Sequence, residues 1–188
     1  QCHFDYRESY FKKNPHLIIT AVRFALKEDG SKAPLSYLEL KKELGDFASV
    51  SAVRETVLRL RKKKGMVVDP QDPDSVSVGS FFINPVIPEE ALRELEKKLP
   101  GISFPRYHTN GNRAKIPAAW TIEQVGFKKG FRYKNVGISS KHALALINFG
   151  GGNAEELLEL AQQIQQKVFQ QFGLKLIPEP TFLGQQNS

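Results

Sequence analysis

The chain has one cysteine, one methionine and one tryptophan in 188 residues, and it has no long apolar run. A single cysteine, Cys2, cannot close an internal disulfide, so a reducing compartment is expected and with it a cytoplasmic protein. No stretch approaches the roughly 18 consecutive apolar residues that a spanning helix needs, which excludes a transmembrane helix. The opening Gln1-Cys2-His3-Phe4-Asp5 lacks a basic region followed by an apolar run, and no signal peptide is expected. One cysteine and four dispersed histidines give no metal-ligand spacing, so no metal site is expected. Neither GxGxxG nor GxxxxGK occurs, and Gly150-Gly151-Gly152 reads as a turn before a helix. Ser80 lacks the GxSxG setting of a hydrolytic nucleophile, and no histidine is tied to it in sequence. There is no internal repeat and no low-complexity block.

What the chain does have is positive charge. Its 27 basic and 20 acidic side chains give a formal net charge of +7, which favours anionic partners without choosing among nucleic acid, nucleotides and phosphorylated metabolites. The densest run, residues 59–64, carries five basic side chains and reads as a solvated helix end, where cations meet the negative end of the helix dipole. A nucleic-acid groove is disfavoured because exposed-looking aromatics are not interleaved with these cations and no familiar binding module appears.

The length suffices for one well-buried core and part of a second. Residues 17–26, rich in branched and aromatic side chains, predict a strand, and a lone strand must pair to satisfy its backbone. The chain therefore reads as though it begins inside a larger protein. Residues 27–34 are charged, turn-like and end in Pro34, a natural boundary; residues 35–44 form a short apolar–polar segment. Val50, Val53, Val57, Leu58 and Leu60 recur at helical spacing after Ser49, which can cap the helix. Pro88 opens a predicted helix over 89–99, stopped by Pro100-Gly101, and residues 108–113 read as a loop. A short Pro-started helix ends near Gly126, and strands are predicted at 136–138 and 143–148. The apolar face of residues 154–172, closed by Gly173, predicts the clearest helix; residues 174–184 predict a terminal strand that Pro178 and Pro180 demote to an edge or an irregular ending. The expected fold is α+β, a small mixed or antiparallel sheet packed with three or four helices.

The stretch 64–85 is the most site-like part of the chain. It places Lys64, Ser80 between Gly79 and Phe81-Phe82, and Asn84 within about twenty residues, with two Asp-Pro steps that turn the path between them. Read from the residues alone, Ser80 is either a turn-capping hydroxyl or a group that gives and relays a proton. Glu179, held between Pro178 and Pro180, is either a charge that guards a sheet edge or a functional carboxyl.

Several separated segments bear on that choice. Cys2-His3-Phe4-Asp5-Tyr6-Arg7-Glu8-Ser9, Lys64-Gly65-Met66-Val67-Val68-Asp69, Gly79-Ser80-Phe81-Phe82-Ile83-Asn84-Pro85, Lys115-Ile116-Pro117-Ala118-Ala119-Trp120-Thr121-Ile122-Glu123-Gln124, Lys141-His142-Ala143-Leu144-Ala145-Leu146-Ile147-Asn148 and Leu176-Ile177-Pro178-Glu179-Pro180 stand in an order and spacing that resemble the C-terminal half of the UDP-N-acetylenolpyruvoylglucosamine reductase family. Val78 and Pro180 stand where the family often has alanine and valine, both mild departures.

The resemblance implies an FAD-dependent oxidoreductase that uses NADPH to reduce UDP-N-acetylenolpyruvoylglucosamine to UDP-N-acetylmuramate in peptidoglycan precursor synthesis. It implies Ser80 as proton donor, with Arg7 and Glu179 polarising the substrate carboxylate. It further implies Tyr37, Lys64, Asn84, Gln124 and Lys115 as substrate-binding residues, and Gly79 with Ser80 beside the flavin. On this resemblance residues 1–30 are the tail of the FAD-binding domain and 31–188 the substrate-binding domain. The upstream flavin-binding portion has no counterpart here, so the isolated chain is expected to be inactive. A noncatalytic UDP-sugar-binding module of the same descent is the alternative. Neither nucleic acid nor membrane is expected as a partner, and a monomer is the default.

Overall fold

The computed structural model describes residues 2–26, 33–109 and 111–182. The chain divides into two units, Gln1–Val57 and Leu58–Ser188.

The first unit is lightly built. Helix α1 (Tyr10–Lys13) starts where the Ser9 side chain accepts the Lys12 N–H, and just before it Asp5 and Glu8 close a tight turn by exchanging backbone hydrogen bonds. Strands β1 (Ala33–Pro34) and β2 (Phe47–Ala48) pair antiparallel around helix α2 (Leu38–Leu44). Helix α3 (Val50–Lys63) begins as expected at Ser49, whose hydroxyl accepts the Ala52 N–H at 3.2 Å.

Residues 17–26 correct the predicted strand. They form no ladder among the described residues, and Ile18, Phe24 and Leu26 are 87%, 75% and 86% exposed. The composition suits a strand, but a strand satisfies its N–H and C=O groups only across a neighbour.

The second unit holds a continuous core. After a 3-10 turn at Pro73–Ser75 come β3 (Ser77–Ser80), β4 (Phe82–Ile83) and β5 (Val86–Pro88), then helix α4 (Glu89–Lys98). Strands β6 (Tyr107–Thr109) and β7 (Arg113–Lys115) lead into helix α5 (Ala118–Gln124). Strands β8 (Arg132–Tyr133), β9 (Val136–Ile138) and β10 (Ala145–Asn148), helix α6 (Ala154–Phe172) and strand β11 (Ile177–Pro178) complete the order. The sheets are antiparallel, in the orders β3-β10-β9-β8, β5-β7-β6 and β11-β4, so the α+β expectation holds.

Helix α6 covers β9 with Leu160, Ala161, Ile164, Val168 and Phe172 buried along one face, the expected 3.6-residue period. Around it gather Phe81, Phe82, Ile116, Ile122, Ile138 and Leu176. Trp120 lies between Phe104 and Phe172, with ring centroids 5.4 and 5.3 Å away.

One further prediction needs correction. In the polar stretch 108–113, His108, Thr109 and Arg113 are not loop but the inner ends of the β6–β7 hairpin, registered Thr109↔Arg113, with Gly111 and Asn112 at positive φ; residue 110 lies outside the described residues. Composition marks the turn but hides the pairing on either side. The terminal strand is only two residues long: β11 pairs Ile177 with Ile83 and Pro178 with Phe82, and Pro178 and Pro180 cannot donate to a longer ladder.

Candidate functional site

Ser80 ends β3, half-buried, and faces Ala145 of β10 in register. Ser77 pairs with Ile147, so three steps along β3 match two along β10, and β3 carries an extra residue. Such a bulge bends the strand and re-aims the side chains beside it. Gly79 sits at the bulge with φ +83°, a backbone that disfavours any side chain, while the space beside it is open, with Met66 Sδ at 4.0 Å the nearest atom to a Cβ built there. Immediately beyond, the Phe81 N–H donates to the Leu144 carbonyl at 2.8 Å, and the Phe81 carbonyl accepts the Glu179 N–H at 2.8 Å. Residues 80 and 179, far apart in sequence, thus lie on adjoining backbone, held by the buried rings of Phe81 and Phe82.

Asn84 continues the same run. Its Oδ1 accepts the Ala118 N–H at 2.8 Å and so caps the start of α5, while the neighbouring Pro85 carbonyl accepts the Ile116 N–H at 2.9 Å. Gln124 is the exposed last residue of that helix. Lys115 ends β7 opposite Val86 and Tyr107, with Nζ 5.9 Å from the Tyr107 ring centroid. Ser80, Glu179, Asn84, Lys115 and Gln124 are therefore carried on connected elements of one unit.

Lys64 follows α3, half-buried, and its charge reaches His142. The His142 Nδ1 accepts the Leu144 N–H at 3.1 Å, which leaves Nε2 to carry the ring proton. Burial, and then the charges of Lys64 and Lys129, hold this imidazole below its ordinary value of 6.5, in the neutral form. Sequence reasoning named the Lys141-His142 segment but gave His142 no role.

The buried aspartates were also missed. Asp74, 7% exposed, accepts the Ser140 N–H on Oδ1 and the Ser140 hydroxyl on Oδ2, each at 2.7 Å. Asp72 Oδ2 meets Lys141 Nζ at 2.7 Å, and Asp69 pairs with Lys62 at 2.9 Å. Burial pushes the Asp74 carboxyl up, but the Ser140 and Ser139 hydroxyls, the Ser140 N–H and the Lys141 charge together outweigh it and hold the group below its ordinary 3.8. The signal was present as three aspartates in six residues of a basic chain, yet Asp-Pro steps read first as turns.

Arg7 and Tyr37 belong to the other unit. Arg7 is exposed at φ +56°, uncommon for a residue with a side chain, and its carbonyl accepts Lys12 Nζ at 3.0 Å. Tyr37 precedes α2, 58% exposed, with its hydroxyl 3.1 Å from Glu39 Oε2. Among the described residues no group of three or more acidic, histidine or cysteine side chains could hold a metal ion. No helix among them is long and apolar enough to cross a membrane. The backbone at Gly79 lies beside the Ser80 residue with open space next to it.

The family model for the C-terminal domain of UDP-N-acetylenolpyruvoylglucosamine reductase matches residues 70–183, from the turn before β3 to the end of the described chain. Over 98% of its length the chain is 39% identical to the UDP-N-acetylenolpyruvoylglucosamine reductase of Thermobifida fusca. It is 41% identical over 97% to that of Streptomyces coelicolor, and 40% identical over 96% to that of Mycobacterium avium. The chain spans about half the length of these relatives, 54%, 51% and 53% respectively. The α+β fold and these similarities along nearly its whole length make the chain a member of the UDP-N-acetylenolpyruvoylglucosamine reductase family, matching the C-terminal part of its relatives.

Proposed function

We propose that the chain supplies the substrate-binding and proton-donating part of a cytoplasmic enzyme that reduces UDP-N-acetylenolpyruvoylglucosamine to UDP-N-acetylmuramate for peptidoglycan synthesis. The observation that carries this reading is the junction of Ser80 and Glu179 through Phe81, backed by a bulge that aims the serine. FAD, reduced by NADPH and held mainly by an upstream portion of the polypeptide, supplies the hydride.

Hydride addition to the terminal vinyl carbon places enolate charge on the substrate carboxylate. Arg7 stabilises that charge by donating hydrogen bonds to it, and Glu179, in its acid form, donates one more. The adjacent carbon then takes a proton from the Ser80 hydroxyl, which completes the lactyl ether. Lys64, Lys115, Asn84, Gln124 and Tyr37 bind the nucleotide and diphosphate, and the net charge of +7 favours anionic ligands. The positive φ at Arg7 supports a functional role, since strained backbone of this kind concentrates at sites. Residues 1–30 belong to the flavin-binding portion and 31–188 to the substrate domain on this reading.

The test is Ser80→Ala in the flavin-loaded full polypeptide. The rate at which enolpyruvyl substrate reoxidises the reduced flavin should fall by about 100-fold or more, within the range of a lost acid catalyst, while NADPH still reduces the flavin at a similar rate. Equal loss in both half-reactions by stopped-flow absorbance would sink the assignment. UDP-sugar binding without any substrate turnover in the wild-type protein would instead favour a binding module.

A further inference from the structure

The bulge leaves the direction of Ser80 dependent on what fixes β3 and β10 at their ends. At one end the Phe81 N–H is bonded to the Leu144 carbonyl. The opposite end of β3 leads back through Val76 and Ser75 to Asp74, and β10 leads back through residues 141–144 to Ser140. Asp74 and Ser140 are the two residues joined by the paired 2.7 Å hydrogen bonds.

The surroundings of this contact are built to hold it. Asp72 Oδ1 accepts the Asp74 N–H at 3.2 Å and sets the 3-10 turn, while Lys141 Nζ closes a second link onto Asp72 Oδ2. Ser139, fully buried, accepts the Lys141 and His142 N–H groups on its hydroxyl and donates its own N–H to the Ala145 carbonyl. Gly65, the residue after Lys64, lies so close that a Cβ there would stand 2.9 Å from the Asp74 carbonyl oxygen. The Asp74 carboxylate therefore joins the approach to Ser80 to the turn that carries His142, while its backbone packs against Gly65 in the run after Lys64.

We propose that Asp74 is a positioning residue for Ser80. By clamping Ser140 it fixes the turn before β10, and with it the Ala145 and Leu144 backbone against which the bulged end of β3 is registered. The inference rests on the proton-donor reading of Ser80.

The experiment compares Asp74→Asn, Ser140→Ala and Ser80→Ala in the flavin-loaded full polypeptide, with the two half-reactions followed separately in H2O and D2O. Asp74→Asn should slow flavin reoxidation by substrate about 10- to 100-fold, the cost of a donor displaced by about an ångström, and leave reduction by NADPH roughly unchanged. It should also enlarge the solvent isotope effect on reoxidation, because a misplaced donor makes proton transfer more rate-limiting. Ser140→Ala keeps the N–H bond to Asp74 and should show the same pattern at smaller size; it decides the matter if Asp74→Asn does not fold. Loss shared equally by both half-reactions, or slowing without a larger isotope effect, would assign Asp74 to stability alone and overturn the proposal. An impaired Ser80→Ala beside an unimpaired Asp74→Asn overturns the positioning role only. A fully active Ser80→Ala overturns the reading beneath it.

Discussion

Residues 17–26 and α6 are both rich in aliphatic carbon, yet Ile18 is 87% exposed while Leu160 and Ile164 are completely buried. The helix makes its backbone hydrogen bonds within itself, so its apolar face needs only a surface to cover, and β9 offers one. The extended segment needs a neighbour for its backbone before burying its side chains is of any use. Apolar content is thus a sufficient guide to a helix and only half of one to a strand.

The comparison breaks most visibly at Leu160. Leu160→Ala should destabilise the protein by about 2–5 kcal/mol through lost burial and a residual cavity, seen as a lower urea midpoint with little change in slope. Asn84→Ala tests a helix that borrows its first hydrogen bond from another element. Loss of the bond to the Ala118 N–H should cost about 1 kcal/mol in the same titration.

Acid should act on the packed unit in two windows. His142 is held below 6.5, so the unfolded chain binds its proton first, and stability drains as pH falls from about 6.5 towards the folded value. Asp74 is held below 3.8, so its contribution is present above that pH and disappears as pH falls through the lower folded value. His142→Gln should flatten the first window and leave the second, as read from melting temperature against pH. The smallest effect belongs to the exposed segment: Ile18→Thr should change stability by less than about 0.5 kcal/mol, and a loss approaching that of Leu160→Ala would refute the contrast.

The same logic explains what could be read in advance. The bounds of helix α6 were legible to the residue, because Leu157, Leu158, Ala161, Ile164, Val168 and Phe172 repeat with a helical period and Gly173 follows, but Leu158 is only half-buried and the fully buried Leu160 did not stand out. The strands at 136–138 and 143–148 were legible from runs of branched residues, though the second begins two residues later than expected. The β6–β7 hairpin was not, since Tyr107, His108, Arg113 and Lys115 carry polar groups on a pairing fixed by backbone alone.

For the site, Ser80, Glu179 and Asn84 stood out because each is a polar group among prolines and aromatics. Their mutual placement was invisible, because it depends on a two-residue strand, β11, meeting another two-residue strand, β4. Asp74 escaped because its partner Ser140 lies 66 residues away and neither residue type announces a clamp.

Trp120 is the chain's one tryptophan, and it stands between Phe104 and the last residue of α6. The protein therefore carries a native optical gauge. Indole emission reads the packing of α6 against Phe104 without any label, so a fluorescence melt beside a backbone circular-dichroism melt of one sample would compare that core with the chain as a whole.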